Sequence, residues 1–291
     1  MTIHRSSRIT EVGRTGKLRI EYARRDSQTI IARSHCTSPW HLFPPIYLDD
    51  SGAAYTLLLN PSGGLAGGDR VAIEMTLAPR SHVIVSAPSS NRVYRSPSED
   101  LKSVQTIRLV VGAGAILEWV PEHTIPFAGS RFRQVIHVRL APGATVILWD
   151  AMASGRIARG ERWAFASLEN DLTLTTASGD SLTERFRLDH HDHLDRHPAG
   201  IARAWDYVGS LYVVSDAMNA DVWKTLEARV SDVLDAEPGR LLGGVSTPSV
   251  SGLVVKLVTR SAPTLTATLE RLWTAVRLTL WGLPPVILRK Y

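Results

Sequence analysis

Three stretches decide how this chain folds: Leu77-Ala-Pro-Arg-Ser-His-Val-Ile-Val85, Leu109-Val-Val-Gly-Ala-Gly-Ala-Ile-Leu117 and Leu140-Ala-Pro-Gly-Ala-Thr-Val-Ile-Leu148. They overlay without gaps, their leucines 32 and 31 residues apart. Each reads strand, turn, strand. Pro79-Arg80 and Pro142-Gly143 suit the middle of a β-turn, since proline fixes φ and glycine relaxes it. The approach to each turn alternates. Val135, His137 and Arg139 oppose Ile136, Val138 and Leu140, which is the pattern of a half-buried strand. A unit of this kind cannot bury its apolar face alone, so neighbours must stack on it. The expected fold is therefore mainly β, with stacked layers of the β-helix or solenoid kind over about residues 45–190. A weaker fourth copy is expected over Leu172 to Leu188, with Ser178-Gly179-Asp180 as its turn. The alternative is an ordinary β-sandwich whose hairpins share turn chemistry.

Residues from about 200 to 291 read differently. Val222, Leu226, Val230, Val233 and Leu234 follow helical spacing. Asp216 and Asp221 stand near the start, where the helix dipole favours anions, and Pro238-Gly239 ends the run. Leu265, Leu269, Leu272, Trp273, Val276 and Leu280 form a second stripe, opened by Pro263 and closed by Gly282 with Pro284. Residues 252–258 read as a strand between them. The expectation is one domain spanning 1–291, with two C-terminal helices packed on the flank of the β-stack.

Residues 60–70, Asn-Pro-Ser-Gly-Gly-Leu-Ala-Gly-Gly-Asp-Arg, hold two glycine pairs closed by an acid and a base. Glycine is needed where φ is positive or where another group comes close. A phosphate-binding P-loop needs Lys and then Ser or Thr after its last glycine; here Asp69 and Arg70 follow Gly68. A dinucleotide loop leads into a helix. Here Val71, Ile73, Met75 and Leu77 alternate with polar or small residues, which marks a strand. A nucleotide site is not expected.

This segment resembles the signature of the urease accessory protein D family (UreD, also called UreH). The likeness continues in order through Arg92-Val-Tyr-Arg-Ser96, Leu117-Glu-Trp-Val-Pro121 with Thr124-Ile125, Phe127 with Gly129-Ser-Arg131, and Trp281-Gly-Leu-Pro-Pro285. The resemblance implies a mostly β, helical-stack fold. It also implies a non-enzymatic assembly factor that docks on apo-urease and bridges it to accessory proteins F and G. Protein G is a GTPase, so nucleotide chemistry would belong to the partner. Nickel would be delivered to the urease active site with this chain's help, either by docking alone or by conducting the ion. The chain would need no cofactor of its own and would hold Ni2+ only transiently.

On that reading Gly63, Gly64, Gly67, Gly68, Asp69 and Arg70 form an interface or structural loop, with Arg92, Tyr94 and Arg95 as contact residues. Asp69, Glu118, Glu122, Asp150 and Glu184 are candidates for a nickel path. Carboxylates beside water offer weak, exchangeable oxygen ligands, and a conduit needs binding that is favourable without being tight.

Two metal-capable clusters stand apart. Residues 189–197 hold His190, His191, His193 and His197 with three aspartates, a set able to bind nickel, copper or zinc. A solvated loop binding metal as a histidine tag does is the other reading. His35, Cys36 and His41 make a thinner trio, with a buried, apolar Cys36 as its alternative. No Gly-x-Ser-x-Gly elbow or His-Glu-x-x-His helix occurs. Glu122 and His123 are adjacent, and an extended chain would turn them to opposite faces. No catalytic set is therefore expected. The rivals are a metal-dependent enzyme using the histidine cluster and a stand-alone β protein binding a small ligand.

The balance of 33 Lys and Arg against 28 Asp and Glu gives net charge +5. That is a mixed surface with a basic lean, suited to an acidic protein partner, and no nucleic-acid motif supports another one. The single cysteine fits a reducing compartment. The N-terminal arginines come without the apolar stretch of a signal peptide. No apolar run approaches the roughly 18 residues of a membrane helix. A cytoplasmic protein without a membrane partner is expected.

Overall fold

The computed structural model describes residues 15–189 and 205–288. The chain coils through two sheets. Strand β4 (Arg70–Leu77) lies in the first sheet, β5 (His82–Ser86) in the second, and the short β6 (Asn91–Val93) closes the side. The next coil repeats this path as β7 (Ser103–Val111), β8 (Ile116–Trp119) and β9 (Thr124–Pro126). A third follows with β10 (Arg131–Leu140) and β11 (Thr145–Ala153). Each strand pairs in parallel with its counterpart in the next coil. The layered stack read from the repeats is the fold, and the sandwich alternative falls.

The middle copy sits two residues later than its sequence overlay. Leu77 stands beside Val111, and Val111 beside Leu140. A shift of two keeps every side chain on its face, so the apolar pattern alone could not detect it. The turns show the true alignment. Arg80, Gly114 and Gly143 take φ of 61°, 61° and 72° at equivalent positions. The turns also bond across coils. Arg80 N donates to Ala113 O at 2.9 Å, and Gly114 N to Pro142 O at 3.0 Å.

The expected fourth coil is instead a hairpin. β12 (Ser167–Thr175) and β13 (Ser181–Asp189) pair antiparallel within the first sheet. Their turn closes on itself, with Thr176 N donating to Asp180 O at 2.9 Å. The chain therefore doubles back at this turn rather than crossing to the second sheet. At the other end β1 (Thr15–Arg25) runs parallel to β4, and β2 (Gln28–Cys36) forms the antiparallel edge. β3 (Ala54–Leu57) adds to the second sheet. Beyond β11 that sheet continues antiparallel through β14 (Tyr207–Ser215), β16 (Gly252–Thr259) and β15 (Leu241–Ser246).

Two apolar layers result. One lies between the sheets, with Ile73, Leu109 and Val138 facing Val85, Leu117 and Val146. The other lies outside the second sheet, under α1 (Ala220–Asp235) and α2 (Ala262–Trp281). Both expected helices are present, and they pack on the flank. Asn219 caps α1 through Val222 N at 3.0 Å. Asp221 lies in its first turn as expected, whereas Asp216 accepts from Gly143 N at 2.8 Å and serves a coil turn instead. Ser261 caps α2, Pro263 lies in its first turn and Gly282 ends it at φ 65°.

The outer face of the first sheet carries charges in rows. Arg19 donates to Glu74 at 2.8 Å and Arg133 to Asp171 at 3.0 Å. Hydrogen bonds from Arg19 and Lys17 lower the Glu74 pKa. Burial opposes ionisation of Asp171, yet Arg185 and Arg133 hold its pKa below the ordinary value. A carboxyl depressed on folding adds stability above its unfolded pKa, and that stability is lost as pH falls through the folded one. Melting temperature should therefore hold down to about pH 5 and drop steadily below about pH 4. Thermal melts across that range would check this.

Candidate functional site

The glycine loop and the 92–95 segment form one structure. Gly63 and Gly68 adopt φ of 79° and 90°, which side chains resist. A Cβ on Gly64 would lie 2.3 Å from Arg92 O. That closeness lets Leu65 N donate to Arg92 O at 2.8 Å, while Tyr94 N donates to Leu65 O at 2.8 Å. Tyr94 OH donates to Gly63 O at 3.2 Å. Its ring meets Phe127 edge-on at 5.1 Å. Asp69 closes the loop by accepting from Ala66 N at 2.7 Å. Arg70, Arg92 and Arg95 are exposed, and Tyr94 is half-buried.

A cavity begins at this loop and runs between the sheets. Asn60, Gly63 and Gly64 line it together with Gln105, Glu122, Gln134 and Asp150. The space open to water centres is about 80 Å³, enough for several waters, since one needs roughly 10–15 Å³. A second, smaller cavity continues past the same point, lined by Asn170, Phe186, Val208 and Ser210. The two share Thr124, Gln134 and Asp150.

Between these cavities the apolar interior is interrupted by a polar row. Gln105, Gln134 and Asn170 are direct neighbours on β7, β10 and β12. All are buried. Each occupies the apolar phase of its strand, two residues ahead of Ile107, Ile136 and Leu172. Gln105 Nε2 donates to Gln134 Oε1 at 3.2 Å. Gln134 Nε2 donates to the Asp150 carboxylate at 3.1 Å, and Asn170 Nδ2 donates to it at 2.8 Å. Asn91 extends the row, donating to Gln105 at 3.4 Å. Burial pushes the Asp150 carboxyl above its ordinary range, against those hydrogen bonds and the charge of Lys256. The arrangement places one carboxylate, held by two amide N–H donors, where the cavities meet.

The family model described as UreD urease accessory protein matches residues 14–290. The chain belongs to the UreD family. It is 32% identical over 278 residues to urease accessory protein UreD of Deinococcus radiodurans, covering 95% of each chain. The UreD of Haloarcula marismortui is 31% identical, over 96% of this chain and 91% of its own. That of Cupriavidus necator is 28% identical, over 91% and 90%. The relatives are named as accessory proteins, which places this UreD-family chain in a urease accessory role.

The other expected path carboxylates of the UreD-family chain are dispersed. Glu122 lines the first cavity with Asp150. It also approaches His123 Nδ1 at 3.5 Å; residues 121–123 are not in a strand, so the two side chains are not held on opposite faces as alternation would require. Asp69 is engaged in its turn. Glu184, on β13, accepts from Tyr212 OH at 2.6 Å and from Lys256 Nζ.

Glu118 is fully buried. Its Oε1 accepts from Arg277 Nη1 at 2.6 Å and lies 2.5 Å from His82 Nε2, while Oε2 accepts from Trp273 Nε1. Arg277 also donates to Asp49 and, at 3.3 Å, to Pro284 O. This cluster ties α2 and the 281–285 segment to the β-stack; Glu118 faces neither of the two cavities that share Asp150.

Cys36 is exposed at the end of the edge strand, not buried as its apolar character suggested. Among the described residues no group of three or more His, Cys, Asp or Glu is placed to hold a metal. The trio of His35, Cys36 and His41 is thus not assembled. His190, His191, His193 and His197 lie outside the described residues. Among the described residues no helix is long and apolar enough to cross a membrane.

Proposed function

We propose that this chain is a non-catalytic, cytoplasmic assembly factor. It binds apo-urease and the accessory F–G complex and assists nickel insertion by offering the ion a route through its β-stack. One observation carries this reading: Asp150 stands where two cavities meet, held by stacked amides. A divalent ion with its waters would find a carboxylate there, with no thiolate. Such hard donors exchange readily and do not trap nickel. The entrance beside Gly63 and Gly64 adjoins Arg92, Tyr94 and Arg95, residue types favoured at protein interfaces. Nucleotide hydrolysis is assigned to the partner, in keeping with the loop's acid and base in place of a phosphate motif.

Asp150→Asn removes the charge and keeps the shape. The expected outcome is unchanged folding and unchanged partner binding, with nickel incorporation into urease slowed on the order of ten-fold, the scale of other metal-pathway losses. Urease nickel content after co-expression would read this. Full incorporation with Asp150→Asn would remove the route from the account and leave docking alone.

A further inference from the structure

Asp150, Ser210 and Lys256 occupy one row across β11, β14 and β16. Lys256 Nζ donates to Ser210 Oγ at 2.9 Å and to Tyr212 OH at 2.8 Å, and it pairs with Glu184. It also lies 4.8 Å from the centre of the Tyr212 ring. An ammonium so placed has oxygen partners on several sides, with a carboxylate on the first sheet and a hydroxyl row on the second. That is the environment of a bound cation. The Lys256 and Glu184 side chains are 43% and 25% exposed, so the cluster opens to solvent. Ser210 also lines the second cavity with Asp150. The cluster therefore borders that cavity through Ser210.

We propose that Lys256 is a tethered cation that competes with divalent metal at this border of the cavity and keeps the site one of passage. The inference rests on the reading of the Asp150 cavities as a cation route. With Lys256 in place, Glu184 and Asp150 together retain a single net negative charge. Without it they present two, which matches a divalent ion. An arriving ion must displace the ammonium, and the flexible, half-exposed lysine stem lets the head group swing out into water. The returning ammonium then displaces the ion. Affinity is thereby traded for exchange.

The test is equilibrium dialysis of Ni2+ alone against the full chain, with His190, His191, His193 and His197 replaced by Ala to remove tag-like binding. Lys256→Met should bind nickel roughly ten- to a hundred-fold more tightly than the parent, the effect of removing one opposing charge near two carboxylates. Adding Glu184→Gln should abolish the gain. Lys256→Arg keeps the charge and should bind as weakly as the parent. Equal affinity of Lys256→Met and parent would overturn the proposal, as would a gain that survives Glu184→Gln. Lys256→Gln, which removes the charge but keeps a polar head, is the second variant and should show the same gain; equal affinity of it and the parent would overturn the proposal even if Lys256→Met does not fold. The assay uses neither urease nor a partner, so its failure is separate from a failure of docking.

Discussion

Glu118→Ala should cost the protein about 3–5 kcal/mol, the range for stripping one partner from a buried ion pair. Arg277 is fully buried and would lose the carboxylate that neutralises it between α2 and the second sheet. Trp273 Nε1 and His82 would lose their acceptor as well. Asp49 would remain as a partner for Arg277, yet it sits at the rim and leaves the inner Nη1 unpaired. In a chain of this size each kcal/mol moves the melting temperature by roughly 2–4 °C. A drop of about 10 °C is expected in a thermal melt followed by circular dichroism. Glu74→Gln is the control, since its partners are exposed and such pairs contribute roughly 0–1 kcal/mol. Equal melting of the two variants would show that Glu118 does not anchor α2.

Gly64→Ala is the second severe change. The added methyl would meet Arg92 O at 2.3 Å, where the partner is backbone and cannot move aside cheaply. Relief requires parting Leu65 from Arg92, which breaks the link between the glycine loop and the 92–95 segment. The expected cost is about 2–4 kcal/mol, in the upper range for point changes. Hydrogen exchange should show lost protection at Leu65 and Tyr94 first. Gly244→Ala is the matched control, because a methyl added there would meet no atom within 4 Å. Native-like exchange at Leu65 in Gly64→Ala would contradict the close-approach account.

Local signals carried much of this fold. Pro79-Arg80 and Pro142-Gly143 marked real coil turns, and Asp221, Pro263 and Gly282 marked real helix ends. The shift of the middle copy escaped because a period of two is blind to a displacement of two. The false fourth coil escaped because a hairpin and a crossover share the same turn residues. In the site, Asp150 and Glu122 line one cavity with Gly63 and Gly64, whereas Asp69, Glu118 and Glu184 do not line it.

The amide row is written in the sequence: Gln105, Gln134 and Asn170 each break the apolar phase at a matching place in adjacent parallel strands. Polar residues at buried positions need partners, and equivalent places in stacked strands supply them. The Glu118–Arg277 pair was not legible. Its members are 159 residues apart, and nothing local links them. Lys256 likewise meets Glu184 across 72 residues and two sheets.

The most direct test of the central claim is to express this chain, tagged, with and without the F-type and G-type accessory proteins and apo-urease of its own genome. Complexes would be weighed by light scattering, and nickel in the urease counted. The account predicts a soluble complex that forms only with those partners and loads nickel into urease. A soluble monomer indifferent to all of them, with urease loaded equally well in its absence, would contradict it.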